Sequence, residues 1–325
     1  MSSARPVRVL SRRTRLARTI TVASLVLVSG IAMMAILGQG NGSGAPISAT
    51  QVNARATRAG TAAGLKGTAL DPSLFSAGSC VSFAPTSGDR HLTVFLDAGH
   101  GGPDPGGQGV TQSGQVVYER DLTLPVVLEA TKLLRAQGFR VVDSRTTSAA
   151  VIRLQPADLS ASLFSLEGAH RDVAARPLCA NLAKAAALVS VHFNVGASAQ
   201  NAGTETTYDA ARPFAAANQS LATLLQTATV AALHAVPGWN VPDNGVVTDD
   251  KVGNSLTSRG AAYGHLLVLG PAAAGYFNTP STMPGALIEP LFLTDPFEGT
   301  IASSSNGQRI IAQAIAKAVE QFLTP

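Results

Sequence analysis

Short apolar runs and amphipathic stretches alternate through the long C-terminal part of the chain. The runs 92–96, 139–143 and 187–192 are rich in the β-branched and aromatic residues that are typical of buried strands. Between the first two runs, apolar residues spaced three or four apart predict a helix over 119–137, which Gly138 ends. A strand, a helix and a strand in this order predict a parallel strand pair joined by a crossover helix.

The remaining pattern extends this unit into one α/β domain over residues 81–325. Further elements are predicted as helices over 168–186, 213–236 and 307–323, strands over 203–208, 263–269 and 286–289, and loop-rich segments over 145–165 and 238–254. With 325 residues, 46% of them hydrophobic, the chain can bury a core of this size. We therefore predict a mixed, mainly parallel central sheet flanked by helices, in a single domain.

Residues 1–38 carry a targeting pattern. Six arginines and no acidic residue precede the uncharged, mostly apolar stretch 19–37. Its length suits either a signal peptide or an N-terminal membrane anchor, and the arginines keep the N-terminus inside in both cases. Residues 39–80, rich in Gly, Ser, Ala and Thr, predict a flexible linker. The chain is thus predicted to be exported to the cell envelope or periplasm, either secreted or anchored by its N-terminal helix.

The formal net charge of +4 comes from the N-terminal arginines. From His91 onward, 14 lysines and arginines stand against 18 aspartates and glutamates. Nucleic-acid binding needs clustered cationic side chains on the folded surface. We therefore predict no nucleic-acid partner, and contact with a membrane only through the N-terminal segment.

Cys80 and Cys179 are the two cysteines of the chain. Because the N-terminus indicates export to an oxidising compartment, we predict that they form a disulfide. Neither belongs to a Cys-x-x-Cys motif, which argues against a thiolate metal site.

Two histidines follow buried strands, and a glutamate begins a helix. His100 lies in a glycine-walled turn after the first strand, and His192 ends the strand that starts at 187. Ligands of open α/β sheets bind at such strand ends. His100 alone is equally compatible with a structural role, and Glu119 alone with stabilisation of the helix dipole. Together, the three residues predict a His₂Glu zinc site with its fourth position open for water.

Glu289 is the single acid in the apolar run 286–293. A buried, unpaired carboxylate is costly, so this residue is expected either to have a function or to form a buried salt bridge.

Four stretches together resemble the zinc-dependent N-acetylmuramoyl-L-alanine amidases of the amidase-3 family, most of all its small actinobacterial members without a wall-binding module. The resemblance spans about residues 91–325 and rests on Asp97-Ala-Gly-His100-Gly-Gly-x-Asp104-Pro-Gly106, on Glu119 leading into a helix, on Ser190-Val-His192-Phe-Asn194 and on Ala286-Leu-Ile-Glu289-Pro-Leu-Phe-Leu-Thr.

The resemblance implies zinc ligation by His100, Glu119 and His192, with Glu289 as the catalytic acid/base. It also implies that residues 81–325 form an amidase catalytic domain. This domain would cleave the amide between the lactyl group of N-acetylmuramic acid and L-alanine of the stem peptide, in peptidoglycan or muramyl peptide fragments. Cell-wall turnover or cell division is the expected setting. In some relatives an inserted helix blocks the zinc until a protein partner removes it, but the segment 238–254 is too polar and glycine-rich to predict such a helix.

Other polar residues near these motifs have less defined expected roles. Asp97 and Asn194 flank the ligands and are expected to orient an imidazole N–H, and Arg259 with the loop 239–258 is expected to line the substrate groove. The histidines outside the motifs are expected to be structural or surface residues, namely His91, His170, His234 and His265.

Two other functions stay open. A zinc peptidase could cut within the stem peptide, and a non-catalytic wall-binding protein could share the same fold. The intact set of ligands and the acid at Glu289 favour the amidase.

Overall fold

An eight-stranded sheet forms the centre of the computed structural model, which describes residues 65–251 and 257–324. In sheet order, its strands are β1 (Thr68–Ala69), β2 (Ser79–Phe83), β6 (Arg140–Arg145), β3 (Thr93–Ala98), β9 (Ala187–Val191), β12 (Gly285–Glu289), β10 (Thr204–Tyr208) and β11 (Asp243–Thr248). The inner strands β6, β3, β9 and β12 are parallel, whereas β2 and β10 pair antiparallel with their inner neighbours. This arrangement confirms the predicted mixed, mainly parallel sheet.

Helices cover both faces of the sheet. They are α1 (Glu119–Ala136), α2 (Leu166–Leu182), α3 (Ala215–His234), α4 (Ser258–Tyr263), α5 (Pro296–Ser303) and α6 (Ser305–Leu323). Two short hairpins lie outside the central sheet. One is formed by β4 (Gln108–Val110) and β5 (Val116–Tyr118), and the other by β7 (Leu159–Ser160) and β8 (Leu163–Phe164). Val94 and Leu96 of β3 belong to the apolar core that also contains residues of α1, α3 and α6, while Phe95 between them belongs to the core that contains residues of α2. Because the strand is buried on both faces, its consecutive residues Val94 to Leu96 are all apolar, as is typical of parallel sheets.

The prediction of a strand over 263–269 is wrong. Helix α4 occupies the start of this segment, with the Thr257 side chain accepting a hydrogen bond at its N-terminus and Gly264 ending it at a φ of 69°. The chain then turns, and the N–H of Leu269 donates to the carbonyl of Leu266. The apolar side chains of this turn pack into the core between the sheet and α2. Their burial therefore does not require the backbone to pair as a strand.

The sheet extends at both edges beyond what the sequence predicts. β11 lies inside the polar segment 238–254, where we expected a loop, and pairs in parallel with β10. An edge strand of this kind leaves half of its surface to solvent, so it carries no apolar pattern. At the other edge, β1 pairs with β2 and β2 with β6. The folded domain therefore begins before the predicted boundary at residue 81.

The targeting segment 1–38 and the first part of the predicted linker, residues 39–64, lie outside the described residues. Within 65–251 and 257–324, no helix is both long enough and apolar enough to cross a membrane.

Cys80 and Cys179 form the predicted disulfide, which ties β2 to α2. Both residues are fully buried, with Cα atoms 5.7 Å apart.

We expect the double substitution Cys80→Ser/Cys179→Ser to lower the free energy of unfolding. The bond closes a loop with a sequence separation of 99 residues, so it restricts the unfolded chain strongly. The chain-entropy model gives about 4–5 kcal/mol for such a loop. Urea unfolding of both proteins under oxidising conditions measures the difference. Equal midpoints and slopes would show that the bond does not stabilise the fold.

Candidate metal centre and catalytic glutamate

Three parallel strands bring the predicted residues to one edge of the sheet. His100 follows β3, His192 follows β9 and Glu289 ends β12. Because β3, β9 and β12 are adjacent and parallel, their carboxyl ends meet at this edge. The hairpin β4–β5 leads directly into Glu119, the first residue of α1, and returns its side chain to the same place.

Three ligand atoms converge there. His100 Nε2 lies 2.9 Å from Glu119 Oε2, and His192 Nδ1 lies 2.9 Å from Glu119 Oε1. The two imidazole nitrogens are themselves 3.1 Å apart. Zinc bonds of about 2.1 Å in a tetrahedron hold ligand atoms roughly 3.4 Å apart, close to these separations. Two nitrogens and a carboxylate are also a donor set that Zn²⁺ accepts, so the residues fit this ion.

Asp104 orients the first imidazole. Its Oδ2 lies 2.7 Å from His100 Nδ1, and its Oδ1 accepts a hydrogen bond from the N–H of Gly106. A carboxylate on Nδ1 leaves Nε2 as the nitrogen that faces Glu119, as in many metal sites. We expected Asp97 in this role, but Asp97 accepts hydrogen bonds from Arg176 and Ser190 instead.

Two buried arginines hold the backbone of the His100 turn. Arg176 donates to the carbonyls of Ala98 and His100, and Arg145 donates to the carbonyls of Ala98 and Gly99. Neither arginine was predicted from the sequence. The signal in the sequence that could have revealed Arg145 is its position at the end of the apolar strand β6. An arginine is almost never fully buried without partners.

The glycines of the turn allow close packing of the imidazoles. A Cβ at Gly99 would lie 2.4 Å from His192 Cε1, and one at Gly106 would lie 2.6 Å from His100 Cδ2. His100 itself has a φ of 62°, a left-handed conformation that is costly for residues other than glycine and recurs at functional sites. The motif therefore accommodates two imidazoles in contact.

The charges of the ligands depend on one another. Burial disfavours the charged imidazole of His100, but the carboxylates of Asp104 and Glu119 outweigh it and raise the pKa of His100 to about 10. Burial also disfavours the Glu119 carboxylate, yet His100 and His192 lower its pKa well below the usual range. A metal ion would thus compete with a proton for His100 Nε2.

Glu289 has the opposite shift. Burial first, and then the negative charges of Glu119 and Glu205, raise the pKa of Glu289 well above its ordinary value. Glu205 lies directly across from it in the antiparallel pair of β10 and β12. Within the described part of the chain, Glu289 Oε2 has no hydrogen-bond partner. A carboxyl group whose pKa is raised in this way is suited to accept a proton and return it.

The other predicted residues are less closely tied to this centre. The Asn194 amide neighbours the Glu289 carboxyl and acts to lower its pKa. Arg259 donates to the carbonyl of Gly275 and lies over the ring of Tyr276, so its place in a substrate groove stays a prediction. Of the remaining histidines, His91, His170 and His234 contact surface or backbone groups. His265 differs, because it faces two aspartates.

Comparisons with known proteins agree with this arrangement. The family model described as Amidase_3, N-acetylmuramoyl-L-alanine amidase, matches residues 94–321. The germination-specific N-acetylmuramoyl-L-alanine amidase of Bacillus subtilis (strain 168) is 27% identical over 233 residues, which cover 71% of this chain and 79% of that protein.

Solved structures show the same fold. The N-acetylmuramoyl-L-alanine amidase of Clostridium difficile 630 matches with a TM-score of 0.50 and 28% identity, over 71% of this chain and 96% of that one. The CwlD amidase of Clostridioides difficile, solved in complex with the GerS lipoprotein, matches with a TM-score of 0.54 and 20% identity, over 72% of this chain and 98% of that one. Since the family model spans most of the chain and includes all four site residues, this protein belongs to the amidase-3 family of N-acetylmuramoyl-L-alanine amidases.

Proposed function

We propose that this protein is a zinc-dependent N-acetylmuramoyl-L-alanine amidase. It hydrolyses the amide between the lactyl group of N-acetylmuramic acid and L-alanine of the peptidoglycan stem peptide. The observation that carries the proposal is the convergence of His100, Glu119 and His192 beside the buried acid Glu289. Membership of the amidase-3 family supports the same substrate class.

His100, Glu119 and His192 would hold the metal. When bound there, Zn²⁺ would supply Lewis-acid chemistry, lowering the pKa of a water and polarising the scissile carbonyl. Asp104 keeps the Nε2 lone pair of His100 directed at the site by its contact with Nδ1. Arg145 and Arg176 fix the backbone that carries His100, so the ligands are preorganised before substrate arrives.

Glu289 moves the proton in this mechanism. It takes a proton from the attacking water as the new C–O bond forms, and it returns that proton to the amine of L-alanine as the C–N bond breaks. The raised pKa of Glu289 favours the second transfer, because burial and the neighbouring carboxylates stabilise its protonated form. Glu289 would accept the proton in the first transfer more readily with a metal held by Glu119, because the positive charge would offset the nearby negative charge of that carboxylate.

Residues 1–38 would direct this enzyme out of the cytoplasm, as a signal peptide or a membrane anchor. Peptidoglycan lies outside the cytoplasmic membrane, and the disulfide between Cys80 and Cys179 suits an oxidising compartment. Residues 39–64 would then connect this segment to the catalytic domain.

Product analysis of the full chain tests the function. The protein is stripped with a chelator, divided, and assayed on a muramyl peptide with and without added Zn²⁺, with mass spectrometry as the readout. We expect a free stem peptide that begins at L-alanine, and only in the sample with zinc. Cleavage inside the stem peptide would instead identify a peptidase, and binding to sacculi without cleavage would identify a wall-binding protein.

A further inference from the structure

A second group of metal-binding residues lies at the opposite end of the sheet. Asp209 directly follows β10, and Asp249 directly follows β11. The two strands are parallel, and Tyr208 pairs with Thr248, so the two aspartates leave the sheet side by side. β10 runs antiparallel to β12, so this end faces the start of β12, whereas Glu289 lies at its other end. His265, just after α4, completes the group.

The distances match those of the amidase centre. His265 Nδ1 lies 3.0 Å from Asp209 Oδ2 and 3.3 Å from Asp249 Oδ1. A tetrahedral ion with bonds of about 2.1 Å would separate its ligand atoms by roughly 3.4 Å. Asp209 and Asp249 are buried, and the His265 side chain is 23% exposed, which leaves a path from solvent.

The hydrogen bonds leave one buried oxygen without a donor. Asp209 Oδ1 accepts from the N–H of Ala211, and Asp249 Oδ2 accepts from the N–H of Leu266. Among the described residues, Asp209 Oδ2 has no hydrogen-bond partner, although it faces His265 Nδ1. A single imidazole nitrogen faces two carboxylate oxygens, so one N–H cannot point well at both.

Neighbouring polar groups do not complete the site. The Arg212 guanidinium donates to carbonyls of Leu269, Gly270 and Ser281. The Tyr263 hydroxyl donates to the carbonyl of Pro271. The carboxylates of Asp209 and Asp249 are both buried, and His265 Nδ1 faces both of them. A divalent cation would neutralise both.

We propose that Asp209, Asp249 and His265 bind a divalent transition-metal ion, with Zn²⁺ as the first candidate, at a site separate from the amidase centre. One imidazole nitrogen and two carboxylate oxygens suit Zn²⁺ or Mn²⁺. The ion joins the ends of β10 and β11 to the segment after α4. The site therefore stabilises this end of the domain, and it does not depend on the proposed function.

Metal analysis in a His100→Ala background tests the second site without the first. The full-length variant is stripped with a chelator, incubated separately with Zn²⁺ and with Mn²⁺, dialysed, and measured for metal per chain and for melting temperature. We expect one retained equivalent of Zn²⁺ and a higher melting temperature with zinc. Adding His265→Gln should weaken zinc binding at least tenfold and abolish the thermal shift.

His170→Gln in the same background is the matched control, because His170 is also a partly buried histidine and its ring contacts the carbonyl and ring of Tyr276. This control should retain the zinc equivalent. Asp249→Asn gives a second ligand variant if His265→Gln does not fold. Retention of neither metal by His100→Ala, or equal retention with and without the ligand substitution, would overturn the proposal. Since the amidase centre is disabled throughout, failure here leaves the proposed activity intact, and failure of the product assay leaves this site intact.

Discussion

Replacing Glu289 by glutamine is expected to abolish most of the turnover while zinc remains bound. Glutamine has nearly the same shape, but it cannot take a proton from water or return one to the leaving amine. Removal of a general acid/base costs roughly 10²–10⁴-fold in rate. Glu289 is not one of the three converging ligands, so the zinc content should be unchanged. Steady-state kinetics on a muramyl peptide, with metal analysis of the same sample, measures both quantities.

Glu298→Gln is the matched control for this substitution. Glu298 is buried as Glu289 is, and this burial is the main cause that raises the pKa of Glu298 to about 7. Its carboxylate accepts hydrogen bonds from the N–H groups of Gly203 and Phe292, which indicates a structural role. This variant should lose stability but keep its turnover per folded molecule. Wild-type turnover in Glu289→Gln would remove Glu289 from the mechanism.

Replacing His100 by alanine is expected to abolish both zinc binding at the amidase centre and turnover. The substitution deletes one of three converging ligand atoms and leaves Glu119 and His192 as the two remaining ligands. Loss of an outer contact to a metal ligand costs about 10–100-fold in metal affinity, and loss of the ligand itself should cost more. The experiment uses a His265→Gln background, so the proposed second site does not contribute zinc. Calorimetric zinc titration and the product assay give the two readouts.

Asp104→Asn in that background separates ligation from orientation. The asparagine keeps a side-chain oxygen near His100 Nδ1 but loses the charge that supports the N–H. We expect zinc affinity to fall by about 10–100-fold and turnover to return at high zinc concentration. Undiminished zinc affinity in the His100→Ala variant would contradict the assignment of the ligand set.

Local patterns were sufficient to predict the four residues that converge at the carboxyl ends of the parallel strands. His100 and His192 each follow a buried apolar strand, Glu119 begins a helix, and Glu289 interrupts an apolar run. Parallel strands in one sheet end at one edge, so the order of elements along the chain was enough to bring these residues together. The disulfide followed from the number of cysteines and the expected compartment.

Elements whose form depends on distant partners were missed. β11 is polar, and only its pairing with β10 makes it a strand. The apolar residues of 263–269 indicated a strand, but in the structure they pack into the core from a turn. Local periodicity reports which side chains are buried, and it does not report what the backbone pairs with.

The sequence by itself indicated the class of the fold and the four residues at the carboxyl edge of the parallel strands, because these follow from apolar runs and the polar residues within or just after them. It indicated the cysteine pair for another reason, since two cysteines in an exported chain can pair only with each other. Only the tertiary structure decided that Arg176 pairs with Asp97 across 79 residues, and that His265 faces Asp209 and Asp249 at the opposite edge. Such contacts join side chains from separate elements. Their geometry is fixed by how those elements pack, and no local spacing in the sequence records it.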